Sequence, residues 1–448
     1  MTPVGLNSVA VMARRAILGA SCAALLVVGA PLSAATSAEN QTAAQRFTMF
    51  GNSPVDAFYA SRHDVPLWLA DGPNSPVAAE LVRTLMRSSV EGFAQGPEIG
   101  QQAQALMARA ATGDRTALAE ADRLLSNGWV QYVSLLRQRP AGMVYAEQWI
   151  APRSANPQEI LQAAAAAPSL AAYVRNVSTV NPIYSALRDA AWSQMSSTNQ
   201  APDSRVLANL ERTRVFPSEG RYVVVDAASA KLWMVQDGRL MDSMKVIVGK
   251  PDSQTPMIAS VIHYATLNPY WNVPPDMVRS MIAQNVLNQG PGYLKAHGYE
   301  LLSDFSETAR VLQASDVDWR AVADGRQTIR VRQLPGPGNS MGHMKFGFAN
   351  DQGVYLHDTP KKELFASDDR DLSHGCVRLE DAERLGRWLL GRDPSSTSSE
   401  PEQHVLLPSP VPVYVTYLTA HADDGRLTLL DDPYGRDAVG GTTMAGLR

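Results

Sequence analysis

Cysteine is almost missing from this chain: its 448 residues include two, Cys22 and Cys376. Cys22 lies inside an apolar run near the start, so the rest of the protein has one thiol and no partner for an intramolecular disulfide. A fold stapled by disulfides is thereby excluded. Basic tracts are missing as well. The formal charge is −4 with Lys and Arg scattered, which argues against nucleic acid as a partner. Beyond the first few dozen residues no apolar stretch is long enough to span a bilayer, and no internal repeat is visible.

What is present begins with an export signal. Arg14 and Arg15 precede an apolar run from Ala16 to about Leu32, and small residues follow from Ser33 to Ala38. This is the pattern of a signal peptide over 1–35, too short and wrongly flanked for an anchor. Cys22 sits within the hydrophobic region rather than at its end, against lipidation. Removal of this segment takes away two arginines and no acid, which moves the charge to −6. About 410 residues then remain, enough for two domains with real cores and no transmembrane anchor.

The texture of the chain changes near its middle. Residues 55–195 are rich in Ala, Leu, Arg and Glu, and predict helices at 76–91, 99–111, 114–138, 157–167 and 182–196. Ser75-Pro76, Asn156-Pro157 and Asn181-Pro182 supply the start signals. Residues 195–204 read as a linker. From Arg221 the pattern alternates apolar and polar, and Asp237-Gly238 and Asp424-Gly425 predict type I′ hairpins. Residues 273–333 turn more helical, as an insertion capping a β-rich domain, and a helix is predicted from about Glu380 or Asp381 to Gly391. The expected fold class is α+β: a helical N-terminal scaffold domain and linker at 40–204, and a β-rich, sandwich-like domain at 216–437 with a capping subdomain. A flexible tail at 438–448 would follow, and the SSTSS run at 395–399 reads as a solvated loop.

The remaining thiol lies in DLSHGCVRLE, residues 371–380. A cysteine attacks as thiolate, and with an ordinary pKa of about 8.5 it needs a neighbouring base or cation. His374 is two residues before it, and His357, at the end of the strand-like GVYL, nineteen before. A tight turn at Gly375 would splay His374 away from the thiol, whereas a histidine at a strand end can be presented to a neighbouring loop with its other ring nitrogen fixed by a carbonyl. The N–H groups of His374, Gly375 and Cys376 could converge on an oxygen that becomes negative during acyl transfer. The positive end of the following helix would favour a thiolate. Spacing alone leaves three readings open: an inert core cysteine, a zinc site of His357, His374 and Cys376, and a cysteine acyltransferase or peptidase.

The stretch resembles the L,D-transpeptidase family of bacterial cell-wall enzymes, whose signature is a histidine, a spacer of fourteen to seventeen residues, then Ser or Thr and His-Gly-Cys. Here fifteen residues separate His357 from Ser373-His374-Gly375-Cys376. MKVIVGKPDSQTPM at 244–257, NPYWNVPP at 268–275, PGPGNSMGHMKFGFAN at 335–350, GVYLHDTPKKELF at 353–365 and the C-terminal VPVYVTYLTAHADDGRLTLLDDPYGRD look like its large periplasmic subgroup. FYASRHDVPLWL looks like that subgroup's N-terminal scaffold. The chain departs from many members in having Arg378 where they have Asn, as the subgroup does, and no peptidoglycan-binding module is recognisable between Pro182 and Arg214.

The resemblance implies a periplasmic enzyme with Cys376 as nucleophile, His357 as general base and acid, and the Asp358 carbonyl orienting the His357 ring. His374 and Gly375 would shape the turn and its main-chain donors. Tyr355, Ser373, Arg378 and Trp271 are candidates to contact substrate, with packing or turn roles as their alternatives, and for Arg378 a pair with Asp371. The implied partners are peptidoglycan stem peptides, a donor tetrapeptide and an amine acceptor, with carbapenem β-lactams as inhibitors and neither cofactor nor metal. Cys376 would expel the terminal D-Ala, and an amine would resolve the thioester into a 3-3 cross-link. Two alternatives stand beside this reading: a carboxypeptidase or endopeptidase with water as acceptor, and a non-catalytic cell-wall scaffold.

Overall fold

The computed structural model describes residues 53–154, 156–394 and 399–437. The expected signal peptide at 1–35, the segment 40–52, most of the SSTSS run and the tail at 438–448 lie outside the described residues. The first half is a helical array: α1 Pro54–Ser61, α2 Pro76–Arg87, α3 Gly96–Ala111, α4 Arg115–Leu136, α5 Pro157–Ala166, α6 Leu170–Thr179, α7 Pro182–Thr198 and α8 Ser204–Thr213. The start signals act as caps. Ser75 accepts from Ala78 N, Asn156 from Gln158 N and Asn181 from Tyr184 N, each with proline in the first turn.

Burial of one face of each helix builds a shared core around Trp68, Leu81, Leu85, Leu125, Trp129 and Tyr132. Asp122 of α4, 1% exposed, accepts the N–H groups of Leu67, Trp68 and Leu69 at 2.8 Å each, which folds the FYASRHDVPLWL stretch onto the array. Half of the predicted linker is helical. α7 continues to Thr198 and α8 begins at Ser204, because Val206 and Leu210 give α8 an apolar face that the core covers.

The second half is built on a sheet of β1 Val144–Tyr145, β2 Arg221–Asp226, β3 Lys231–Gln236, β4 Arg239–Gly249, β5 Ile258–Leu267, β10 Met344–Phe348, β11 Leu356–His357, β12 Asp371–Ser373, β13 Val377–Leu379 and β14 Gln403–Thr416. Its order is β1-β5-β10-β11-β13-β4-β3-β2-β14, with β12 beside β4. Since β14 also pairs with β5, the sheet closes on itself around one core, and no long edge is left open. β2 is buried on both faces, from Tyr222 to Val225, so it reads as a continuous apolar run. Asp237-Gly238 joins β3 to β4 with both residues at positive φ, as a type I′ turn requires.

Between β5 and β10 the chain makes a second layer with its own core of Trp271, Val278, Ile282, Trp319 and Val331. It is more mixed than the helical insertion expected. β6 Trp271–Val273, β7 Tyr299–Leu302, β8 Val311–Leu312 and β9 Arg330–Gln333 form a small sheet, and a helical stretch over 275–289 includes a π-helical turn at Val278–Ala283. The C-terminal hairpin, β15 Ala420–Asp423 and β16 Arg426–Leu429, turns at Asp424-Gly425 as expected. It packs on the helices, with Ala420, Leu427 and Leu429 joining their core. The fold is thus α+β, helices first and a closed sheet second. No helix among the described residues is long and apolar enough to cross a membrane.

Candidate active site

Strand register sets the segments that carry His357 and Cys376 side by side. β11 and β13 run parallel, Leu356 opposite Val377 and His357 opposite Arg378, and Val377 N donates to Tyr355 O at 3.0 Å. Side chains alternate along a strand, and Leu356, Val377 and Leu379 are fully buried in the sheet core. His357 and Arg378 therefore take the opposite face. Tyr355 and Cys376, two residues earlier on each segment, continue that alternation just outside the paired residues, Cys376 standing directly before β13 with its Sγ 3.7 Å from Gly353 O.

His357 is 4% exposed, and its Nδ1 lies 2.6 Å from the carbonyl oxygen of Asp358. A carbonyl only accepts, so Nδ1 carries the proton and Nε2 is left as a free acceptor in the neutral ring. Burial pushes the imidazole pKa down to about 4, partly opposed by that carbonyl and reinforced by the charge of Arg378. The Asp358 carbonyl is itself well fixed. Its N–H donates to Met344 O at 2.8 Å, and its carboxylate accepts Lys362 Nζ at 2.7 Å and His343 N at 2.9 Å. Burial would raise this carboxyl, but those bonds outweigh it and hold it below the usual range.

The thiol is presented by a turn that needs glycine: Gly375 has φ +108°. Ser373 Oγ accepts Gly375 N at 3.1 Å and donates to Cys376 O at 2.6 Å, closing the turn. Gly375 is therefore not available as a main-chain donor to a ligand. Of the three N–H groups expected to converge, those of His374 and Cys376 have no internal partner among the described residues. Burial pushes the Cys376 thiol up, opposed by a Tyr355 main-chain hydrogen bond and by the charge of Arg378. The resting pair is thus a neutral thiol and a neutral imidazole, and the sulfur ionises as its proton leaves.

The other expectations divide. Tyr355 is half-buried on the face of His357, with Lys345 Nζ 5.8 Å from its ring centre. Arg378 is half-buried and makes no ion pair among the described residues; the expected pair with Asp371 does not form, and its charge acts on Cys376 instead. Trp271, 8% exposed, packs in the second layer against Tyr299, which is a packing role. His374 is exposed. The helix after the site, α9 Ala382–Leu390, is capped by the Asp381 carboxylate, and the side-chain cation acting on the thiol is Arg378. No three His, Cys, Asp or Glu side chains among the described residues gather as metal ligands. A cavity of about 450 Å³ between α7, β3 and the C-terminal hairpin includes neither Cys376 nor His357, so volume does not mark the reactive centre.

Sequence reasoning missed Lys362 and Thr255. The first stands four residues after Asp358, and the second lies in the quoted MKVIVGKPDSQTPM, but neither spacing says what it touches. Thr255, fully buried, donates to Gly375 O at 2.9 Å and accepts Gly249 N at 2.8 Å.

A thiol, an imidazole fixed by a carbonyl and free main-chain donors are the parts of a cysteine acyl-transfer centre. Comparison with known proteins agrees. Residues 220–413 match the YkuD L,D-transpeptidase catalytic domain, and residues 53–190 match a scaffold domain. A Haemophilus influenzae protein whose name places it among the L,D-transpeptidases is 26% identical over 392 residues, 85% of this chain and 77% of that one. Residues 220–413 of the chain therefore form an L,D-transpeptidase catalytic domain. Among solved structures, an L,D-transpeptidase from Mycobacterium smegmatis matches at 14% identity, over 44% of this chain and 58% of that one, with a TM-score of 0.23. L,D-transpeptidase 1 of Mycobacterium tuberculosis matches at 12%, over 44% and 62%, with a TM-score of 0.21. The chain spans between half and about three-fifths of the solved chains it matches.

Proposed function

We propose that this protein is a peptidoglycan L,D-transpeptidase acting in the periplasm, to which the leader pattern at 1–35 would export it. Cys376 Sγ attacks the carbonyl of the third residue of a donor tetrapeptide stem while Nε2 of His357 takes its proton. The carbonyl electrons move to oxygen beside the free main-chain donors. Collapse expels the terminal D-Ala, whose nitrogen receives the proton from His357, and leaves a thioester. The amine of a second stem, deprotonated by the same imidazole, then displaces the sulfur to give a 3-3 cross-link. Arg378, charged and without an ion-pair partner among the described residues, would meet a substrate carboxylate, and Tyr355 would line the same cleft. A carbapenem offers a strained amide carbonyl to the same thiol and would acylate it.

The observation that carries this reading is the bond from His357 Nδ1 to the Asp358 carbonyl, which leaves Nε2 as acceptor on the sheet face that Cys376 shares. Mass spectrometry of the wild type and Cys376→Ala after incubation with a disaccharide-tetrapeptide tests it. The wild type is expected to show an adduct lacking D-Ala and to release cross-linked dimer; the variant should show neither. Tripeptide without dimer would replace transpeptidation with hydrolysis. Absence of any adduct with both muropeptide and carbapenem would leave a non-catalytic scaffold.

A further inference from the structure

Thr255 and the segment behind it do more than fill space. The peptide between Gly375 and Cys376 is planar, so its C=O and N–H point in opposite directions. Thr255 Oγ1 holds the C=O at 2.9 Å. The Cys376 N–H, which has no internal partner among the described residues, is thereby aimed the other way, toward the side where an acyl oxygen would develop charge. Thr255 is rigid in turn. Its Oγ1 accepts Gly249 N, its own N–H reaches Tyr434 Oη at 3.4 Å, and Tyr434 Oη donates to Gly249 O. Gly249 admits no side chain, because a Cβ there would overlap the main chain at Ser253.

The supports continue away from the site. Gln254 is held by Tyr434 O at 3.1 Å and by Arg436 at 2.8 and 3.1 Å. Tyr434 stacks on Tyr417 with ring centres 4.9 Å apart, and Arg436 lies over both rings. Arg212 of α8 closes the chain of contacts, donating to Asp437 at 2.6 Å, to Tyr417 O at 2.8 Å and to Arg436 O. Thr255 and Tyr434, nearest the Gly375–Cys376 peptide, are buried, Gln254 and Arg436 behind them are half-buried, and the last link, Arg212, is on the helical half.

We propose that Thr255 is a positioning residue of the oxyanion site: its hydroxyl sets the direction of the Cys376 N–H, and the C-terminal segment Tyr434–Asp437, pinned by Arg212, keeps that hydroxyl in place. The inference rests on the acyl-transfer reading of Cys376. It separates two properties of the thiol. Acyl transfer develops an oxyanion and needs the donor; alkylation by iodoacetamide is a displacement at carbon that forms none.

The test compares wild type, Thr255→Val and Thr255→Ser for acylation by a carbapenem, resolved into maximal rate and half-saturating concentration, and for alkylation by iodoacetamide. Thr255→Val should lower the maximal acylation rate by about 10- to 100-fold, leaving half-saturation and alkylation within about threefold, and Thr255→Ser should restore acylation to within about threefold of wild type. Unchanged acylation in Thr255→Val, or an equal fall in alkylation and acylation, overturns the proposal. Should Thr255→Val not fold, Tyr434→Phe decides by the same pair of rates, with a selective loss of about 3- to 10-fold expected and an unselective or absent one refuting it. A wild type that alkylates but is never acylated refutes the acyl-transfer reading itself.

Discussion

Lowering the pH is the cleanest probe of this site, because its base is buried. The folded pKa of His357 is about 4, against 6.5 for an unperturbed imidazole. Between those values the unfolded chain binds a proton that the folded protein does not, so stability rises with pH across that window. His357's contribution is complete above 6.5 and is lost as the pH falls through the window; the difference corresponds to about 3 kcal/mol. Acylation follows the same group. The reaction needs Nε2 empty, and at pH 5 roughly nine-tenths of the rings remain neutral for a pKa near 4. The rate of carbapenem acylation is therefore expected to stay level from pH 7.5 to about 5 and to halve near pH 4, measured by stopped-flow quenching with mass-spectrometric counting of adduct. Urea melts of wild type and His357→Gln over the same range should show a steeper acid loss in the wild type by about 3 kcal/mol. An acid limb centred near 6.5 would mean the base is an exposed imidazole. A rate that climbs tenfold per pH unit from 5 to 8 would mean that a pre-ionised thiolate attacks without His357. Either result refutes the neutral pair.

Two further expectations come from the supports of the site. Lys362→Met removes the ammonium that holds the Asp358 carboxylate and the carbonyls of Leu379 and Glu380, so acylation should slow about tenfold as the Asp358 carbonyl loosens, with Lys362→Arg recovering part of it; an unchanged rate would show that Asp358 needs no such tether. Arg212→Met leaves the buried carboxylate of Asp437 without its cation and should cost about 3–5 kcal/mol in a chemical denaturation series, while adding Asp437→Leu should recover at least about 1 kcal/mol; an additive double variant would deny the pair any coupling.

The sequence by itself determined the local features. Helix starts at Ser75, Asn156 and Asn181 are legible because a cap needs only a short polar side chain and the next few N–H groups. The hairpins at Asp237-Gly238 and Asp424-Gly425 are legible because type I′ geometry demands positive φ at both residues. The nucleophile and its histidine stood out through the scarcity of cysteine and the spacing of His357, Ser373, His374, Gly375 and Cys376. What only the tertiary structure decided involves partners far apart in the chain. The closure of β14 onto β5, the placement of the C-terminal hairpin on the helices, and the link from Arg212 through Tyr434 to Thr255 join residues up to 225 positions apart. No local propensity encodes such contacts. The occupied Gly375 N–H was likewise invisible, because which of several available acceptors a donor finds depends on where folding leaves it. The physical divide is one of range: caps and turns are settled by a few consecutive residues, whereas the depressed base and the orientation of its donors arise from burial that the whole chain creates.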